Sequence, residues 1–164
     1  VLIPHHKPVS FSLVSTDLPV WSALEASARL YQREPGRFHL LLSEPNVRSV
    51  AAERGTIEGT TVSTATTSRL LWLEISPSRV IMTMQGKGLF SYRHLWERGM
   101  YGISRYWLRG DSPESRSAQM RLRNYTRSLT LTGHPLPEHL RLEYELWSEK
   151  VALGRYVLDV EILH

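Results

Sequence analysis

The sequence predicts an α+β domain in which antiparallel β-sheet dominates, with an amphipathic helix near the N-terminus and a β-hairpin at the C-terminus. Three observations predict it. The last 25 residues alternate apolar and polar side chains with a period of two, the mark of half-buried strands. A second alternating pair surrounds Ser76-Pro77-Ser78. Trp21, Leu24, Ala28 and Tyr31 instead recur at spacings of three and four, which places them on one helical face. A chain of 164 residues is the length of one domain, so residues 1–164 are read as a single globular unit.

In chain order, Val9, Phe11 and Leu13 alternate with Ser10 and Ser12 as a half-buried strand. Asp17 is a good helix cap, with Pro19 in the first turn, and the helix runs over Val20–Gln32 to stop before Pro35-Gly36. Arg37 to Leu42 is a short strand. Gly55 to Ser68 is rich in Thr, Ser and Gly and reads as an exposed loop or edge strand. Leu71, Leu73 and Ile75, then Val80, Met82 and Met84, form a hairpin that Gly86-Lys87-Gly88 ends or bulges. Leu89 to Trp107 is aromatic-rich and reads as mixed strand and turn. Asp111-Ser112-Pro113-Glu114 starts a short basic helix through about Arg123, and Arg127 to Thr132 follows as a strand. Leu140, Leu142, Tyr144 and Leu146, then Tyr156, Leu158, Val160 and Ile162, make the closing hairpin with one wet face.

Composition excludes several chemistries. The chain has no cysteine, which removes disulfide scaffolds, thiolate zinc sites, iron–sulfur clusters and cysteine nucleophiles, and the simplest compartment is a reducing, cytoplasmic one. No apolar run reaches the roughly 18 residues of a spanning helix, and the start, Val1 to Lys7, is too short and broken for a signal peptide. His5-His6 and the His134/His139 pair lack zinc spacing, so no metal site is expected. Gly102-Ile103-Ser104-Arg105 lacks the second glycine of a nucleophile elbow. Gly86-Lys87-Gly88 is too short for a phosphate loop. Glu143 and Glu145 share a strand face roughly 7 Å apart, but a solvated face explains them better than paired carboxylate catalysis. Asn124-Tyr125-Thr126 matches the glycosylation acceptor tripeptide. No catalytic residue and no cofactor are expected.

The positive signal is charge. Net charge is +4, and eight arginines (Arg93, Arg98, Arg105, Arg109, Arg116, Arg121, Arg123 and Arg127) crowd the middle of the chain, interleaved with Tyr92, Trp96, Tyr101, Tyr106, Trp107 and Tyr125. From Glu138 onward six acids face three bases. Guanidinium groups pair with phosphate, so this segment is the candidate surface for an anionic partner, and the asymmetry also suits contact between copies of the chain.

The order of a strand (Val9–Val14), an amphipathic helix (Val20–Gln32), a β-rich body and a closing hairpin (Leu142 to Ser148, then Gly154 to Leu158) resembles the globular domain of rhabdovirus matrix proteins. That resemblance implies a non-enzymatic assembly protein. It would form homo-oligomers and contact nucleocapsid RNA or an anionic membrane through the arginines. The alternative is a small β-rich enzyme or ligand-binding protein, with Trp72, Met82, Met84 and Trp96 around an enclosed apolar pocket. No particular small-molecule substrate is indicated.

Overall fold

A computed structural model describes residues 3–44, 69–86, 90–109 and 118–164. These form ten antiparallel strands: β1 (His5–Ser15), β2 (Trp21–Glu34), β3 (Arg37–Glu44), β4 (Arg69–Ile75), β5 (Arg79–Gly86), β6 (Phe90–Glu97), β7 (Tyr101–Leu108), β8 (Ala118–Thr132), β9 (His139–Ser148) and β10 (Val151–Ile162). Each strand pairs with its neighbours in sequence, and β1 pairs with both β2 and β10, which closes the sheet into a barrel. Closure removes the unpaired edges that an open sheet leaves exposed.

The α+β expectation is therefore corrected to all-β, because no helix occurs among the described residues. The predicted N-terminal helix is β2. Leu24, Ala26, Ala28 and Leu30 turn inward while Glu25, Ser27 and Arg29 turn out, a two-residue period beneath the three-and-four spacing of the larger apolar residues. Ladders to β1 and β3 hold it there, and tertiary pairing outweighs the helix preference of Ala, Leu and Glu. Asp17 is not a helix cap but the anchor of the β1–β2 turn. Its Oδ1 accepts from the Ser15 hydroxyl at 2.9 Å and from the Arg155 backbone N–H at 3.0 Å. Those two bonds, the backbone one foremost, hold its pKa below the ordinary carboxylate value. Residues 118–123, expected to end a basic helix, are strand β8. The Gly55–Ser68 loop and the start of that basic helix lie outside the described residues. The two expected hairpins are present as β4–β5 and β9–β10, the latter with a bulge between Ala152 and Gly154.

Alternation carries one face of every strand to the barrel interior. Leu30, Leu40, Leu42, Leu73, Ile75, Val80, Leu140, Leu142, Leu158 and Val160 are almost completely buried there. The two barrel ends differ. At one end the turns are short (Pro35-Gly36, Ser76-Pro77-Ser78 and Arg98-Gly99-Met100), and the start of β1 meets the end of β10. The links 45–68 and 109–117 leave from the other end.

Candidate functional site within the barrel

The inner wall changes character from β6 to β8. Inward positions on β6 are Phe90, Tyr92, His94 and Trp96. Phe90, Tyr92 and His94 face Leu108, Tyr106 and Ser104 of β7, and the inward β7 residues Leu108, Tyr106, Ser104 and Gly102 face Ala118, Met120, Leu122 and Asn124 of β8. His94, Ser104, Asn124 and Thr126 are all buried. In a barrel interior these polar groups need partners, because an unpaired one forfeits its hydration.

A short hydrogen-bond chain supplies most of them. The β6–β7 ladder ends at His94 opposite Ser104, and the Asn124 amide takes over beyond it. Asn124 Nδ2 donates to the Leu95 carbonyl at 3.1 Å and to Ser104 Oγ at 2.9 Å. Gly102 makes room for this. A Cβ there would stand 2.1 Å from the Leu95 carbonyl oxygen and 2.9 Å from Asn124 Oδ1. Ser104 Oγ lies 2.7 Å from His94 Nδ1. Ser104 Oγ accepts from Asn124 and, as a hydroxyl, can either give to or accept from Nδ1, so the imidazole tautomer sets the direction of that bond. Burial pushes the His94 pKa down to about 3, which keeps the ring neutral at ordinary pH.

Aromatic rings surround the chain. His94 stacks on Trp96 at 4.7 Å with an interplanar angle of 5°, and meets Tyr92 and Tyr106 edge-on. Tyr144 and Tyr156, direct neighbours across the β9–β10 ladder, stack on each other, and Tyr144 also packs on Trp96. Burial raises the tyrosine pKa values, that of Tyr92 to about 12, so the phenols stay protonated. Among the described residues, three buried polar atoms lack a partner: Trp96 Nε1, Asn124 Oδ1 and Thr126 Oγ1.

The wall leads to a mouth. Phe90, Leu108 and Met120 stand on inward positions yet keep 39, 44 and 47% of their surface exposed. A side chain that faces the axis and still meets solvent marks an open end, and it is the end that carries the longer links.

The eight arginines separate into different situations. Arg93, Arg105 and Arg121 lie directly opposite one another across β6, β7 and β8 on the outer face. Arg123 stands over the Tyr101 ring at 4.8 Å, beside Tyr125. Arg98 donates to the carbonyls of Leu129 and Pro77, tying together the short-turn end. Arg127 pairs with Glu145 at 2.7 Å. Arg109 is exposed just past β7, and Arg116 lies outside the described residues. Of the interleaved aromatics, Tyr92, Trp96 and Tyr106 face inward, whereas Tyr101, Trp107 and Tyr125 stand on the outward positions of β7 and β8. Met82, Met84 and Trp96 are buried in the interior as the pocket alternative required. Trp72 is on the outer face, where it donates to His39 Nδ1 at 3.2 Å. Asn124 and Thr126 of the glycosylation tripeptide are completely buried and out of reach of modification in the folded chain.

His139, Asp159 and Glu161 bring potential metal-ligand atoms within 4.8 Å of one another, a grouping that histidine spacing alone did not reveal. It lies on the outside of β9 and β10. Asp159 is already engaged there by His139 at 2.6 Å and by Arg141 at 3.2 Å, an arrangement that an ion-pair network explains.

Sequence reasoning named Ser104 only as a failed nucleophile and Asn124 only as the head of a glycosylation tripeptide, and did not single out His94. A signal was there: the period-two series Tyr92, His94, Trp96 and Gly102, Ser104, Tyr106 places polar and aromatic groups where a plain core strand carries aliphatic ones.

No family model and no curated protein matches the chain. A solved structure, that of the ywiB protein from Bacillus subtilis, aligns with a TM-score of 0.59 over 99% of this chain and 94% of that one, at 11% sequence identity. The likeness shows the fold. It also overturns the matrix-protein resemblance, which rested on an N-terminal helix that is a strand. The viral matrix-type assembly role drawn from that resemblance falls with it. The chain shares the closed barrel of a bacterial protein.

Proposed function

We propose that the protein binds a small, largely apolar molecule inside the barrel, entered past Phe90, Leu108 and Met120. One observation carries the reading. A hydrogen-bonded polar chain, His94–Ser104–Asn124, is buried on the inner wall among aromatic rings, next to polar atoms that have no partner among the described residues. Burying such groups costs stability that an aliphatic lining would not. Their position behind an open mouth supports recognition of a guest that is apolar in body and polar at one or two points.

The test is a fluorescence titration with the neutral probe N-phenyl-1-naphthylamine. Saturable enhancement with one site per chain is expected. Met120→Trp places a larger ring across from Tyr106 at the mouth and weakens binding about tenfold or more, equivalent to about 1.4 kcal/mol, with little change in Tm. Enhancement that never saturates, or a Met120→Trp variant that binds as tightly as the original, overturns the reading.

A further inference from the structure

We infer that the open end of the barrel docks onto an anionic lipid bilayer, with its apolar rim inserted and the arginine row of β6 to β8 at the level of the lipid phosphates. That a guest passes between bilayer and interior there rests on the ligand-binding reading above.

The rim is apolar well beyond the entry residues. Trp107 stands next to Leu108 on β7 with 36% of its surface exposed. Across the opening, the β1–β2 turn presents Leu18 and Val20, and Trp21 starts β2, with 43, 49 and 50% of their surfaces exposed. Among the turns described at the other end, only that between β6 and β7 carries an exposed large apolar residue, Met100. Exposed apolar groups gathered in this way mark a surface that something covers, and tryptophan favours the membrane–water interface.

Positive charge stands just behind the rim. Arg93, Arg105 and Arg121 each lie three residues along their strands from Phe90, Leu108 and Ala118. At the rise of a strand that is about 10 Å. The apolar faces of peripheral proteins reach about 5–10 Å into the boundary between headgroups and acyl chains. With the rim inserted, the guanidinium groups therefore lie among the phosphates, with which they pair well.

No nearby acid competes for these arginines. The only carboxylate on strands β5 to β8 is Glu97, at the short-turn end opposite Arg79. Arg127, Arg141 and Arg155, in contrast, are already paired with acids of β9 and β10. A row of like charges costs stability in the free protein, and lipid phosphates offset that repulsion. A single-stranded nucleic acid would pair with the arginines too, but it would leave the aliphatic rim uncovered. The continuity of rim and row favours the bilayer.

Co-sedimentation with vesicles tests this. Mixed phosphatidylserine–phosphatidylcholine vesicles are expected to bind the protein and to release it at high salt, and phosphatidylcholine alone to bind it far less. Replacing Arg93, Arg105 and Arg121 together by Gln weakens binding to the mixed vesicles roughly 100-fold, since each basic group near an anionic surface contributes about a factor of five. Leu18→Ser combined with Val20→Ser weakens it as well. The arginine variant still takes up N-phenyl-1-naphthylamine when no vesicles are present. Absent or equal binding to the two vesicle types, full binding by the arginine variant, or displacement from mixed vesicles by polyuridylate overturns docking and leaves ligand binding intact. Vesicle binding without saturable naphthylamine uptake supports the docking surface and overturns the passage of a guest.

Discussion

The inner wall built by β2 to β5 and the one built by β6 to β8 belong to the same barrel and follow different rules. One continuous cross-strand row shows the change: Leu30, Leu40, Leu73, Met82, His94, Ser104, Leu122. Its first four members are aliphatic or thioether side chains, nearly or completely buried. The next two are hydrogen-bonded polar groups at the same depth. The first half gains stability from every methylene it removes from water. The second half holds buried polar groups that earn stability only as far as they are paired. The contrast separates a wall held by apolar burial from one held by hydrogen-bonded polar groups.

The largest effect is expected on the aliphatic side. Leu40→Ala leaves a cavity among fully buried neighbours and costs about 2–5 kcal/mol, read from the midpoint of chemical denaturation. A loss under about 1 kcal/mol would mean that this wall collapses around the gap and is less rigid than its burial implies.

The polar wall answers to pH. His94 binds its proton only near pH 3 when folded and near 6.5 when unfolded, so between those values the unfolded chain holds more protons. Stability is therefore complete above pH 6.5 and falls as the pH drops below it, by up to about 1.4 kcal/mol per unit, until His94 itself charges in the folded barrel. Burial lowers the pKa of His39 as well, which adds a smaller slope of the same sign. His94→Leu flattens the profile between pH 6 and 4. An unchanged slope would assign acid sensitivity to other groups.

The smallest effect lies outside the barrel. Like charges directly opposite across strands repel, and Arg93, Arg105 and Arg121 form such a row. Arg105→Thr is expected to stabilise the protein by about 0.2–1 kcal/mol at low ionic strength, with the gain fading as salt screens the row. A destabilised variant would show that Arg105 contributes packing that outweighs the repulsion.

The same contrast explains what could be read from the sequence. The β4–β5 and β9–β10 hairpins were legible because Leu71, Leu73 and Ile75, and Leu140, Leu142 and Leu146, keep strict aliphatic alternation with polar partners. β2 reads as a helix because Ala26 is small enough to face the interior without looking like core, while Trp21, Leu24, Ala28 and Tyr31 fall at helical spacings. β6 and β7 were ambiguous for a different reason. Their inward residues include His, Ser, Gly and Tyr and their outward ones include Arg, Ile and Trp, so the usual polarity of inside and outside is blurred. Local rules of pattern fail most where a wall mixes buried polar and aromatic groups. Closure of the sheet was not legible at all, since it depends on β1 meeting β10 from opposite ends of the chain.

Asn124 ties the inner wall to the history of the chain before it folds. It heads an acceptor tripeptide for N-linked glycans, and in the native barrel its side chain is sealed behind Gly102. A secretory host that modified the nascent chain would attach a large hydrophilic sugar to an atom that must later dock onto Leu95 and Ser104. The folded barrel leaves that amide no accessible surface, so a glycan there and the native Asn124 hydrogen bonds exclude each other.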